Sequence, residues 1–312
     1  MLTTAVILSE PHAVGLGQVM LRACEARDLV VDVEWSSIST GTERLLWSGR
    51  MPPFPGMGYP LVPGYETIGR VVATGPDSDI QAGTRVFVPG ARAFTGINAL
   101  FGGAARRLVV EEARVVPVPE SLDERATLLA LAATAHHIAP LGSAPPPELI
   151  VGHGVLGRLI ARLCVIAGSA PIVWERDPRR RAGATGYSVV DPEQDTRRDY
   201  AGIVDVSGAA GILDPLVARL RPGGEIVLGG FYDEPVQFAF PPAFMREARF
   251  RVAAQWSPAD LKAVAELVTD GRLSLDGLVT HRMPAAQAES AYRQAFEDRD
   301  CLKMVLDWRT LS

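Results

Sequence analysis

The run Leu149-Ile150-Val151-Gly152-His153-Gly154-Val155-Leu156-Gly157 restricts this chain more than any other stretch. An apolar segment enters a turn with three glycines. Val155, Leu156, Leu159, Ile160 and Leu163 then recur on one face up to Gly168, the spacing of a helix. Each glycine has its own reason in a strand, turn and helix that hold a dinucleotide. Gly152 allows the tight turn, Gly154 lets backbone amides approach a pyrophosphate, and Gly157 lets the helix lie close to its sheet. The free N–H groups of the helix start face the negative charge. The motif is weak alone and gains weight from this context, with a second strand, Pro171-Ile172-Val173-Trp174-Glu175, following it. A carboxylate there accepts hydrogen bonds from ribose hydroxyls and repels a 2′-phosphate, which favours NAD over NADP. Arg176, Arg179, Arg180 and Arg181 pull the other way, either as a phosphate-binding cluster or as a solvated helix start. The expected cofactor contacts are Gly152, His153, Gly154, Val155, Leu156, Gly157, Glu175, Arg176 and Ser207, the last beyond a strand at 202–206.

The rest of the chain falls into two styles. Strand-like runs at 29–35, 67–73, 84–88 and 107–110, broken by turn residues, predict a β-rich domain. From residue 149 onward strands alternate with helices, which implies a parallel sheet with right-handed crossovers. The boundaries predicted are 1–121 with 274–312 for the first domain and 122–273 for the second. Ser121 with Glu124 reads as a capping box opening a helix. A helix carrying Leu213, Leu216, Val217 and Leu220 is expected to stop at Pro222-Gly223-Gly224. Ser257-Pro258-Ala259-Asp260 opens another that stops at Gly271.

With 312 residues, 47% of them hydrophobic, the chain can bury two cores. A net charge of -5 with mixed signs leaves no footprint for nucleic acid, and a small molecule is the expected partner. Cys24, Cys164 and Cys301 are too scattered for a disulfide framework or a Cys-x-x-Cys metal site. With no signal-peptide pattern and no run of about 18 apolar residues, a cytoplasmic location is expected.

Pro63-Gly64-Tyr65-Glu66-Thr67-Ile68-Gly69, preceded by Thr40-Gly41-Thr42-Glu43, resembles the zinc-binding signatures of the medium-chain dehydrogenase/reductase superfamily. The resemblance implies an α/β chain, a GroES-like β-rich catalytic domain joined to a Rossmann doubly wound parallel sheet. Tyr65 stands where that family keeps a histidine ligand and Thr40 where it keeps a cysteine. The third ligand position falls near Ala130 or Leu131. Catalytic zinc needs three Cys, His, Asp or Glu ligands, and only Glu66 qualifies, so no zinc is expected. A side chain must then take the hydroxyl proton of an alcohol. Tyr65 serves if nearby positive charge lowers its pKa, or else fills the vacated space as a core tyrosine. Thr40 is a candidate for the substrate oxygen. Glu66 and Glu43 form a proton relay or pair with arginines. His137, its neighbour His136, and His153 are bases by type.

Ser39 to Glu66, Val173-Trp174-Glu175 and Glu297 to Trp308 narrow the resemblance to the branch that acts on chlorin pigments in phototrophic bacteria. This implies oxidation of a hydroxyethyl side chain to acetyl, with hydride passing to the nicotinamide. Phe54, Met57, Tyr59 and Phe101, beside Pro53, are the candidates for an apolar cleft that takes the macrocycle. Arg44, Arg50 or Arg92 would meet a substrate carboxylate. A homodimer through a sheet edge near Phe238-Ala239-Phe240-Pro241-Pro242 and a location peripheral to the photosynthetic membrane belong to the same reading. Two other classes stay open at this point: a zinc-free quinone or enoyl reductase, and a non-catalytic NAD-binding protein.

Overall fold

The alternation expected after residue 149 is realised as a six-stranded, wholly parallel sheet in the computed structural model, which describes residues 1–53, 57–99, 101–142 and 146–311. Its strands run in the spatial order Ser188–Val190, Ile172–Trp174, Leu149–Val151, Tyr200–Asp205, Leu220–Leu228, Arg249–Val252. Leu149–Val151 is central and entirely buried. The order reverses direction there, so the glycine turn that follows this strand lies at a topological switch point, where open α/β sheets bind ligands. The sheet belongs to a compact unit spanning Leu131–Leu275.

The second unit comprises Met1–Ala130 and Asp276–Ser312. It passes the expected boundary at 121 because residues 120–128 are tied to its own strands. Arg85 donates to the carbonyl oxygens of Pro119 and Asp123, and Arg282 pairs with Glu124. The predicted capping box at Ser121 is not formed. Its Glu124 side chain is taken by Arg282, and the segment is a 3-10 stretch, Glu120–Leu128, with no side-chain cap. The helix begins only at Leu129–Ile138.

The long strand Asp28–Ile38, rich in β-branched and apolar residues and nearly all buried, organises this unit. It pairs antiparallel with Thr67–Thr74, with Arg107–Glu111 and, from the far end of the sequence, with Met304–Asp307. In that last pairing Val305 faces Ser37 and Met304 faces Ile38. The tail is therefore a core strand, which delivers Lys303 to the middle of the unit. A hairpin of Leu2–Glu10 and Ala13–Leu21, absent from the sequence expectations, adds a smaller sheet.

Two other elements differ from expectation. The helix before Pro222 is only Leu213–Val217, and Pro222-Gly223-Gly224 lies inside the strand Leu220–Leu228 at an irregularity of the ladder. The helix Pro258–Thr269 forms as read: Ser257 and Asp260 make a reciprocal capping box.

Candidate active site

Tyr65, Glu66 and Glu43 come together in the β-rich unit, in surroundings unlike those the sequence suggested. Glu66 is 1% exposed, and its Oε2 accepts from Lys303 Nζ at 2.7 Å and from the Ser37 hydroxyl. Lys303 is equally buried. Oε1 of Glu66 is the one buried side-chain polar atom without a hydrogen-bond partner among the described residues. Glu43, also 1% exposed, accepts from the Tyr292 hydroxyl at 2.6 Å and from the Ser39 amide at 3.3 Å. Burial pushes the Glu43 carboxyl up to about 7. Tyr65 donates to Ser39 Oγ at 2.8 Å, and its ring meets Phe101 edge-on with centroids 5.0 Å apart. Burial, with Glu66 and Glu43 adding negative charge, raises the Tyr65 phenol well above its ordinary value. The positive charge that would make it a base is committed to Glu66. Thr40, half-buried, precedes the helix Thr42–Trp47.

Of the substrate candidates, Phe54 lies outside the described residues. Met57, Tyr59 and Phe101 are half-buried against a small apolar cluster of Leu8, Leu45, Leu46, Met51 and Leu61. Tyr59 donates to the Leu46 carbonyl, so its hydroxyl is engaged in holding its own loop. Arg44, Arg50 and Arg92 are exposed.

In the other unit the glycine turn has the shape a dinucleotide requires. Gly152 has φ +104°, the left-handed region that favours glycine. A Cβ on Gly157 would stand 1.8 Å from the Gly152 oxygen, whereas one on Gly154 would meet nothing within 4 Å. Gly154 caps the helix Val155–Ile166 without a side chain, leaving the open space in front of its first N–H groups to a ligand. Glu175 follows the second strand and is aimed back at this turn. Its Oε2 accepts from the His153 amide at 3.3 Å and its Oε1 from the Asp177 amide at 2.9 Å. A Cβ on Gly152 would stand 3.4 Å from the Ser207 backbone nitrogen, so Ser207 borders the turn. Arg176 is exposed. These residues fit a nicotinamide dinucleotide.

The ring of His153 is not available as a base. It is fully buried, with Nδ1 2.6 Å from the Arg180 carbonyl and Nε2 2.9 Å from the Tyr187 hydroxyl. A carbonyl only accepts, so Nδ1 carries the hydrogen and Nε2 accepts from tyrosine. Burial, then the positive charges of Arg158 and Arg162, push its pKa down to about 4. A histidine lowered in the folded state contributes stability that is complete above its unfolded pKa of about 6.5 and is lost as pH falls toward 4. Between pH 7 and 4, the urea-unfolding free energy of the wild type is expected to fall relative to His153→Gln by on the order of 3 kcal/mol. Parallel pH profiles for the two proteins would contradict this. Glu43 acts in the opposite sense, its contribution declining as pH rises from about 4.5 to 7, and it cancels in the comparison.

His136 and His137 place Nδ1 on the two oxygens of Asp260, at 2.7 and 3.0 Å. The hydrogen bonds of Ser257 help hold Asp260 well below the usual carboxylate range, against its partial burial. A carboxylate only accepts, so each ring directs Nδ1–H to Asp260, and the His137 side chain is 39% exposed.

Sequence reasoning missed Lys303, Tyr292, Ser37, Arg158 and Tyr187. The available signal for Lys303 was a lone charge within the apolar run Cys301-Leu302-Lys303-Met304-Val305-Leu306. Among the described residues, no three His, Cys, Asp or Glu side chains group as metal ligands. No helix there is long and apolar enough to cross a membrane.

Residues 25–120 match the alcohol dehydrogenase GroES-like domain. The chain is 57% identical over 309 residues to 2-desacetyl-2-hydroxyethyl bacteriochlorophyllide A dehydrogenase of Rhodobacter capsulatus, covering 98% of each. It is 53% identical over 315 residues to the protein of that name from Cereibacter sphaeroides, covering 99% of each. Its fold is shared with an alcohol dehydrogenase from Escherichia coli in complex with NADH, at a TM-score of 0.83 and 19% identity, covering 98% of this chain and 99% of that one. A zinc-binding dehydrogenase from Sinorhizobium meliloti bound to NADP gives 0.80 and 22%, with the same coverage.

Proposed function

The chain belongs to the family of 2-desacetyl-2-hydroxyethyl bacteriochlorophyllide a dehydrogenases, and from that premise we propose that it oxidises the hydroxyethyl side chain of its chlorin substrate to acetyl with NAD and without zinc. The carrying observation is identity above one half over nearly the whole length of two such enzymes. In the reaction the carbinol carbon gives up a hydride, the hydroxyl gives up a proton, and the C–O bond becomes C=O. NAD supplies the hydride acceptor when bound.

The chain's own residues divide the remaining tasks. The glycine turn and the first N–H groups of the helix Val155–Ile166 hold the pyrophosphate, and Glu175 accepts from the adenosine ribose. NAD is favoured because two of the four competing arginines are already occupied: Arg179 pairs with Asp177 at 2.8 Å and Arg181 with Asp191 at 2.5 Å. Ser207 stands beside the turn, and Arg176 is the exposed guanidinium nearest the strand end in sequence. Zinc does not fit the residues at the family's ligand positions, since Thr40 and Tyr65 are poor ligands and Glu66 is engaged by Lys303.

A general base has to be neutral, oriented and reachable near pH 7. The Tyr65 phenol holds its proton too tightly, Glu66 is sealed beneath Lys303, and threonine is no base. The base is assigned to His137, whose ring Asp260 orients through Nδ1 and whose side chain is 39% exposed. Tyr65 and Thr40 are assigned to orienting the substrate oxygen, and Glu66 to fixing the electrostatics around them. Phe101, edge-on to Tyr65, and Met57 with Tyr59 provide the apolar side toward the pigment. A homodimer through the outer strand Arg249–Val252 is favoured by the exposure of Phe240, Phe244, Met245 and Val252, and a solution mass of one chain would remove it.

The experiment is to follow the pigment's red absorption and NADH formation with the hydroxyethyl bacteriochlorophyllide, NAD or NADP, and a chelator. Acetyl product with NAD preferred is expected, and Glu175→Ser should shift the preference toward NADP by about tenfold or more. Turnover that requires added zinc, or NADP preferred by the wild type, contradicts the reading.

A further inference from the structure

Behind the glycine turn lies a set of contacts that the oxidation itself does not use. The Arg180 carbonyl accepts from two buried donors at once, His153 Nδ1 at 2.6 Å and Arg158 Nη2 at 2.9 Å. Arg158 is 6% exposed and also donates from Nε to the His153 carbonyl at 3.0 Å, so its two contacts bridge the turn and the segment after the second strand. His153 Nε2 takes the Tyr187 hydroxyl, fixing the far end of that segment. Gly183, at φ +83°, lies against Arg158: an added Cβ would come within 2.7 Å of its Nη1. Burying a guanidinium and an imidazole is costly unless every polar atom finds a partner. Here both are spent on shaping one stretch of backbone, residues 176–187.

That stretch begins at Glu175, whose carboxylate is held by amides from both sides of the junction, His153 on the turn and Asp177 on the segment. The same stretch carries Arg176, Arg179, Arg180 and Arg181, with Arg181 turned inward to the Glu175 carbonyl at 2.8 Å. Its conformation therefore decides which is offered to the adenosine ribose, a carboxylate or a guanidinium. We propose that His153 and Arg158 are positioning residues that lock residues 176–187 in the form presenting Glu175, and so set the preference for NAD over NADP. This rests on the cofactor reading above. Without the latch the segment can swing at Arg180, release Glu175 from the Asp177 amide and turn an arginine toward a 2′-phosphate.

The test is equilibrium titration of NADH and NADPH by their nicotinamide fluorescence, with no substrate present, on the wild type, His153→Leu, His153→Asn and Tyr187→Phe. Leucine removes both ring contacts, asparagine keeps a donor toward the Arg180 carbonyl, and phenylalanine removes the tyrosine hydroxyl alone. The ratio of the NADPH to the NADH dissociation constant is expected to fall about tenfold or more in His153→Leu and about threefold in Tyr187→Phe, with His153→Asn near the wild type. A folded His153→Leu chain with the wild-type ratio overturns the latch while leaving the NAD reading intact. If His153→Leu does not fold, an unchanged ratio in Tyr187→Phe overturns it equally. A wild type that binds NADPH more tightly overturns the NAD reading, and the latch with it.

Discussion

Lys303→Met is expected to lower the unfolding free energy by about 3–5 kcal/mol, because it removes the buried cation paired with the Glu66 carboxylate and strands that carboxylate in the core. The Glu66 side chain is fully enclosed, and its remaining partner at Oε2 is the Ser37 hydroxyl, while Oε1 has none among the described residues. Glu66→Met alone should cost a comparable amount by stranding the ammonium. The double variant Lys303→Met with Glu66→Met should recover most of the loss, since an apolar pair of similar volume can replace a buried ion pair at little cost. Urea unfolding of the four proteins closes the cycle. Additive losses would show that the two groups are not coupled, contrary to their 2.7 Å separation. The recovered stability should not bring recovered activity, because Glu66 would be gone from beside Tyr65.

His137→Asn is expected to reduce kcat by about 10² to 10⁴ at pH 7, the usual range for loss of a general base. NADH affinity measured without substrate should stay within about threefold, since the ring's hydrogen bond is to Asp260. His136→Asn is the matched control: it also removes a ring from Asp260, but one whose side chain is only 13% exposed. A kcat in His137→Asn close to the wild type would remove His137 as the base. Equal losses in both histidine variants would mean that each acts by holding Asp260 and its helix start in place.

The glycine turn was legible because three separate constraints act on adjacent residues. The positive φ of Gly152, the open space before Gly154 and the contact at Gly157 each exclude a side chain for a local reason. Glu175 was legible too, since strand length fixes where a carboxylate meets the turn. The Lys303–Glu66 pair joins residues 237 apart, and its register is set by the antiparallel pairing of Met304–Asp307 with Asp28–Ile38, which no local pattern reveals. The hairpin of residues 2–21 escaped notice because Gly15 and Gly17 interrupt the apolar alternation of its second strand. At Ser121 the local signal was real, but Arg282 competes for Glu124 and wins with two donors from one guanidinium. His153 shows the same limit, since nothing in the turn's sequence says that its ring faces Arg180 and Tyr187 instead of solvent.

The most direct test uses substrate carrying deuterium at the carbinol carbon, with NAD and protein dialysed against chelator. Direct oxidation without a metal predicts one acetyl product for each NADH formed, with the deuterium found in the NADH. Tight NADH binding with no transfer of deuterium to the cofactor, or transfer that appears only when zinc is restored, would contradict the account.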